Sequence, residues 1–286
     1  MQVIDTHVHV YTDDRKNYPQ VQDTPRGAAI PGFNGQGQWA PCSIEILTKL
    51  MDEAGVDKAT LVQAYYIYEY DNRYTIAGAN TNRKRFTPSV ILDPLDPAAP
   101  DELSRLVETQ GVTTMRFMRA RLPTSSLGDP RTFPMWERLQ KLKIPVAIND
   151  KIAAISNIRK AIDRYPEVKV AFEHCFAMDV GLAPFTPLEP LFAFADCPNV
   201  YVKTAINNIL AAEKAGGTAE TLYARMVEVF GAKRIMWSSN FPAHPSIGGY
   251  KERLERSKKA LSFLSAEDQS WIFSKTALSV YPALKD

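Results

Sequence analysis

The feature that most restricts what this chain can become is an alternation repeated eight times along it. A short apolar run of strand character gives way each time to a longer connecting stretch, several of them with apolar residues at helical spacing. The runs occupy the first nine residues and then 58–64, 86–92, 112–118, 144–148, 168–175, 199–204 and 234–239. Between the first two, Ile44, Leu47, Leu50 and Met51 fall on one helical face, with Ser43 placed to cap the helix and Gly55 to end it. Further helices are expected over 71–82, 101–109, Phe133–Leu142, up to Tyr165, and after Ser265 through Trp271, Ile272, Thr276 and Leu278. Strands separated by helices pair in parallel, and eight such units predict an α/β fold, a (β/α)8 TIM barrel. A length of 286 residues suits one domain over 1–286 better than two small ones.

Composition narrows the partners. With 34 basic against 32 acidic residues there is no large field for nucleic acid, so any basic patch is local and sized for a small anion. Three widely spaced cysteines, Cys42, Cys175 and Cys197, argue against a disulfide framework and for a reducing compartment. The chain opens directly on a strand, and no apolar run approaches the ~20 residues of a membrane span, so the expectation is a cytoplasmic protein without a membrane partner. A homo-oligomer is compatible with this composition.

The first strand concentrates the chemistry. Strict alternation would put Asp5, His7 and His9 on one face, and two imidazoles two residues apart can converge on one cation or substrate atom. Such a pair is more often two ordinary hydrogen-bonded histidines; what strengthens the ligand reading is its place at the C-terminal end of a barrel strand. Strand 6 brings a third histidine, His174, to the same end of the sheet, and His244 follows strand 8. Arg116 interrupts an apolar strand between Met115 and Phe117; turned inward, its guanidinium would suit a carboxylate, alongside Arg119 and Arg121 in the next loop. Tyr65, Tyr66 and Tyr68 emerge after strand 2, where they would contact substrate or merely pack the rim. The Pro-rich stretch 11–42 leaves the same end of strand 1 and reads as a lid.

These segments together resemble the amidohydrolase superfamily, in particular its lactone hydrolases such as 2-pyrone-4,6-dicarboxylate lactonase, 4-sulfomuconolactone hydrolase and sugar lactonases. The resemblance covers nearly the whole chain and rests on seven segments. They are Val3-Ile-Asp-Thr-His7-Val-His9, Gly55-Val-Asp-Lys with Leu61-Val-Gln-Ala, Asp71-Asn-Arg-Tyr74, Arg116, His174, Asn199-Val-Tyr-Val-Lys203 and Trp237-Ser-Ser-Asn-Phe-Pro242. It implies that His7, His9 and His174 are the metal ligands where a metal is used, and that they polarise the lactone carbonyl directly where none is. One divalent ion, zinc first, or none is implied, because Arg116 and Asn149 stand where a two-metal site would need a bridging lysine and a histidine. The family's strand 8 base is an aspartate, and this chain has Asn240, which can orient water but cannot take its proton near neutral pH. Either the chain is an inactivated variant or another group serves as base, His174, His244 and Asp150 being the nearest; the otherwise regular turn favours the first.

The leading expectation is therefore hydrolysis of a small anionic lactone. Its catalytic residues are His7, His9, His174 and position 240, with Arg116, Lys203, Tyr66, Asn149 and His244 binding the substrate. A metal-dependent decarboxylase of an aromatic acid shares the histidines and is the alternative; a barrel that binds a small acid without turning it over is the third reading.

Overall fold

The structure is a computed structural model that describes residues 1–21, 42–118, 127–150, 155–176 and 179–285. Most of the expected lid, and Arg119 and Arg121, lie outside the described residues. Eight parallel strands form one sheet in sequence order: β1 Ile4–Val8, β2 Lys58–Val62, β3 Phe86–Ile91, β4 Thr114–Met118, β5 Val146–Asn149, β6 Val170–Phe172, β7 Val200–Thr204 and β8 Ile235–Trp237. The ring closes where β8 meets β1: Thr6 Oγ1 donates to the Trp237 carbonyl at 2.7 Å, Asn240 N to the His7 carbonyl at 2.9 Å, and His9 N to the Phe241 carbonyl at 2.8 Å. The (β/α)8 barrel is thus observed, with the C-terminal ends of all eight strands at one rim. No helix among the described residues is long and apolar enough to cross a membrane.

Local sequence accounts for the expected elements. The helix Ile44–Ala54 begins with Ser43 accepting the Ile46 amide and stops at Gly55, whose left-handed φ of 72° suits a residue without a Cβ. The helix Phe133–Leu142 has the expected bounds. Between β7 and β8 two helices occur, Ile206–Lys214 and Ala219–Phe230, that apolar spacing did not single out; the first buries Asn207 and Asn208, which blur its pattern. Strand β6 ends at residue 172 instead of 175, because His174 and Cys175 take φ of 52° and 53°, which no strand can accommodate.

Two packing regions fix the barrel. Under the strands, Ile4, Ala171 and Met236 pack with Tyr281 and Leu284 of the C-terminal segment, closing the floor opposite the catalytic rim. Around them, apolar side chains from strands and helices form one continuous core. The expected alternation in β1 fails at one point, since its pairing with β2 slips between Asp5 and Val8. Asp5 therefore leaves the histidine face. Its Oδ1 accepts the His7 and Ser239 amides, each at 3.0 Å, and its Oδ2 accepts the Tyr250 hydroxyl at 3.0 Å.

The helix Tyr250–Ala260 also sends Arg253 beneath the turn after β8. The guanidinium is fully buried and donates to the carbonyls of Ser239, Asn240, Ala243, His244 and Gly248 at 2.8 to 3.2 Å. Burial pushes it down to about 10, so it remains a cation, solvated by main-chain oxygens in place of water. Truncation would leave several buried acceptors unsatisfied, each costing about 1–3 kcal/mol. Arg253→Met is expected to lower stability by ~3 kcal/mol or more in urea unfolding.

Candidate active site

The site is assembled from β1, β4, β6, β7 and the turn after β8. His7 is fully buried, and its Nε2 lies 3.0 Å from Nε2 of His9, the rings meeting edge to face with centroids 4.7 Å apart. The His174 ring stands at the same 4.7 Å from His7. The three expected histidines are brought together. Asn240, buried with φ 51°, donates Nδ2 to Asn207 Oδ1 at 2.9 Å, which leaves its amide oxygen with no donor among the described residues.

The hydrogen-bond partners set which nitrogens can act. His9 Nδ1 lies 2.7 Å from the Val62 carbonyl, which only accepts, so the neutral ring carries its hydrogen there and turns the Nε2 lone pair toward His7. His7 Nδ1 faces Glu173 Oε1 at 3.0 Å, bent away from the ideal N–H line, and the carboxylate draws that ring's hydrogen to Nδ1 as well. Two lone pairs then point at each other, an arrangement that a shared cation satisfies. Zinc at ~2.0–2.1 Å from each of two tetrahedral nitrogens would set them roughly 3.3 Å apart, close to the separation found. His174 Nδ1 is buried with no hydrogen-bond partner. Ligand atoms of His7, His174 and Glu173 all lie within 4.8 Å of one another. His7, with His9 3.0 Å away and His174 and Glu173 within 4.8 Å, has donors around it that suit one divalent ion.

Glu173 is the residue that sequence reading passed over. Its Oε2 accepts Arg116 Nε at 2.9 Å and Nη2 at 2.7 Å, while Oε1 lies 3.8 Å from Lys203 Nζ. Burial alone would raise this carboxyl, but the charge of Arg116, with the His7 Nδ1 contact and the charge of Lys203, outweighs burial and holds it well below the usual carboxylate range. Lys203 is pushed down to about 8 by burial, with Glu173 opposing the shift, and its ammonium donates to the Thr6 carbonyl at 2.9 Å. Burial also pushes His7 and His174 down to about 3 and His9 well below its ordinary value, so all three rings are neutral. The signal for Glu173 was present as an acidic residue in a strand run beside a histidine.

The remaining expected residues divide. Arg116 is almost fully buried and committed through Nε and Nη2 to Glu173, but its Nη1 makes no hydrogen bond with a described residue. Lys203 is committed to the barrel interior. Tyr65 packs on Ile91 and Met118, Tyr68 accepts the Thr12 amide at 2.9 Å, and Tyr66 is exposed at 42%. Asn149 ends β5, and His244 is half-buried in the turn held by Arg253.

A parallel eight-stranded barrel carrying its polar cluster at the C-terminal rim defines a class of barrel enzyme. The chain belongs to the amidohydrolase family, whose profile matches residues 4–283. No curated protein matches it in sequence. Among solved structures it is similar to a Pseudomonas putida protein provisionally identified as a 2-pyrone-4,6-dicarboxylic acid hydrolase, at 20% identity and a TM-score of 0.75 over 100% of this chain and 99% of that one. A Burkholderia multivorans amidohydrolase with bound zinc gives 16% and 0.74, covering 99% of each chain. A Polaromonas dihydroxybenzoic acid decarboxylase with bound manganese and 2-nitroresorcinol gives 15% and 0.71, over 100% of this chain and 98% of that one.

The Glu173–Arg116 contact is a buried pair, where removing one partner strands the other charge. Arg116→Met should therefore cost about 3–5 kcal/mol in denaturant unfolding, far more than the loss of an exposed pair such as Arg105–Glu102.

Proposed function

We propose that this amidohydrolase opens a small lactone bearing a carboxylate or sulfonate. The observation that carries the reading is the gathering of His9 and His174 around His7 at the barrel rim, where the Asn240 main-chain N–H donates to the His7 carbonyl, together with a guanidinium whose Nη1 makes no hydrogen bond with a described residue. Arg116 Nη1 would hold the anionic group of the substrate, a site for which a planar donor is suited. Asn240 Oδ1, oriented by Asn207, would accept a hydrogen bond from the attacking water and fix its line of approach. A divalent ion held by His7, His9 and His174 would polarise the carbonyl and make that water more acidic. The likeness to the pyrone-dicarboxylic acid hydrolase and to the zinc-bound amidohydrolase supports this reading.

Decarboxylation of an aromatic acid is the second reading, favoured by the dihydroxybenzoic acid decarboxylase among the similar structures. It needs a group that delivers a proton to carbon, and an amide at position 240 cannot supply one. Hydrolysis needs water held and deprotonated; Asn240 Oδ1 would hold it but cannot take its proton. The two readings part on product: carbon dioxide from a dihydroxybenzoate would sink the lactonase, and a ring-opened acid would sink the decarboxylase.

The missing acid sets the expected rate. Asn240→Asp would place a base where water is held and should raise lactone hydrolysis by roughly 10²-fold or more, ~3 kcal/mol of barrier. Affinity should change far less, because the substrate's anion is assigned to Arg116. Equal turnover by the two proteins on one lactone at matched metal content would place the base elsewhere.

A further inference from the structure

Strand β6 does something at its end that regular strand geometry forbids. In an extended chain Glu173 and His174 would point to opposite faces. The left-handed conformation at His174 and Cys175 folds the backbone back, so both side chains serve the same center: Glu173 reaches His7, and the His174 ring stands 4.7 Å from the His7 ring. Such a conformation is strained for residues with a Cβ, and it is held from outside by Asn208, whose Nδ2 donates to the His174 carbonyl at 2.9 Å. The same side chain's Oδ1 accepts the Ala205 amide at 2.9 Å, tying β6 to the start of the helix after β7.

We infer that Glu173, just past the end of β6, is the positioning acid of this center, and that it acts by holding His7 with Nε2 turned toward the ion instead of ligating the ion itself. Oε2 receives two donors from Arg116. Oε1 completes no hydrogen bond, but it lies 3.0 Å from His7 Nδ1, the nitrogen across the ring from Nε2, and 3.8 Å from Lys203 Nζ, so the carboxylate faces the side of His7 turned away from His9. A carboxylate at the far nitrogen of a ligating histidine fixes its tautomer and raises its basicity, and losing such a partner typically costs 10–100-fold in metal affinity. Arg116 and Lys203 follow from this role: a carboxylate with no water around it needs cations to stay ionised, and these two provide them.

The inference rests on the metal-holding part of the proposed function, and one set of measurements separates the two. Zinc affinity is measured by competition with a chromophoric chelator for the intact protein, Glu173→Gln, and the double variant Glu173→Gln/Arg116→Met, with folding followed by circular dichroism. The intact protein should bind one zinc; Glu173→Gln should bind at least tenfold more weakly. The double variant covers the case in which the single variant, left with two uncompensated cations, does not fold. Removing Arg116's charge favours a cation by itself, so weaker binding by the double variant can only reflect the loss of Glu173. With cobalt in place of zinc, the visible ligand-field bands of each folded variant should match those of the intact protein. Unchanged zinc affinity in a folded variant would overturn the positioning role, and altered bands would overturn it in favour of direct ligation. No zinc binding by the intact protein would overturn the metal-holding reading and this inference with it.

Discussion

The interaction on which the rest of the center depends is a carboxylate held ionised without water. Taking Glu173 out of solvent carries a penalty of several kcal/mol, and only charges in direct contact can offset it. Those charges come from strands far apart in the chain: Arg116 from β4 and Lys203 from β7, with the His7 imidazole of β1 completing the surround. Four strands must therefore sit in one register for the anion to be tolerated. A slip of a single residue in any of them would turn a partner outward and leave a buried charge alone. The cluster in this way specifies the barrel's interior more sharply than apolar packing, which accepts many substitutions of similar volume.

A second set of constraints acts from outside the strands. The helix Tyr250–Ala260 reaches under the rim with two side chains, Tyr250 to Asp5 and Arg253 to five carbonyls of the turn after β8. Asn240 and His244 both lie in that turn with positive φ, a conformation costly for residues with a Cβ. A buried guanidinium that accepts nothing and donates in a fixed fork is well matched to a loop whose carbonyls all turn one way. Asn207 and Asn208 do the corresponding work between β7 and its neighbours, one orienting the Asn240 amide and the other anchoring the His174 backbone. The functional groups are thus carried on short, strained segments, each held by a side chain from another part of the ring.

Membership of the amidohydrolase family fixes the scaffold, and departures within the scaffold carry the specific chemistry. Three neutral imidazoles, an amide in the strand 8 turn, and a carboxylate on β6 give a center with one anion and two cations before anything binds. Such a balance favours a substrate that brings its own negative charge, consistent with an acidic lactone.

The sequence by itself determined the architecture, because the period of apolar residues distinguishes strand from helix and parallel strands joined by helices have few ways to close. It also supplied the three histidines, since His-x-His and a third histidine at a strand end are local signals, and it flagged Arg116 and Asn240 as residues needing a reason. What it could not supply were facts created by distance along the chain. Glu173 was passed over, because its partners come from β1, β4 and β7 and only the closed ring brings them to it. Asp5 looked like a member of the histidine face until the slip in β1 sent it to Tyr250. Arg253 carried no signal in the sequence, because its five acceptors reach it only where its helix passes beneath the β8 turn. Alternation and spacing are properties of neighbours in sequence; the fate of a buried charge is decided by residues that only the folded ring brings within hydrogen-bonding distance.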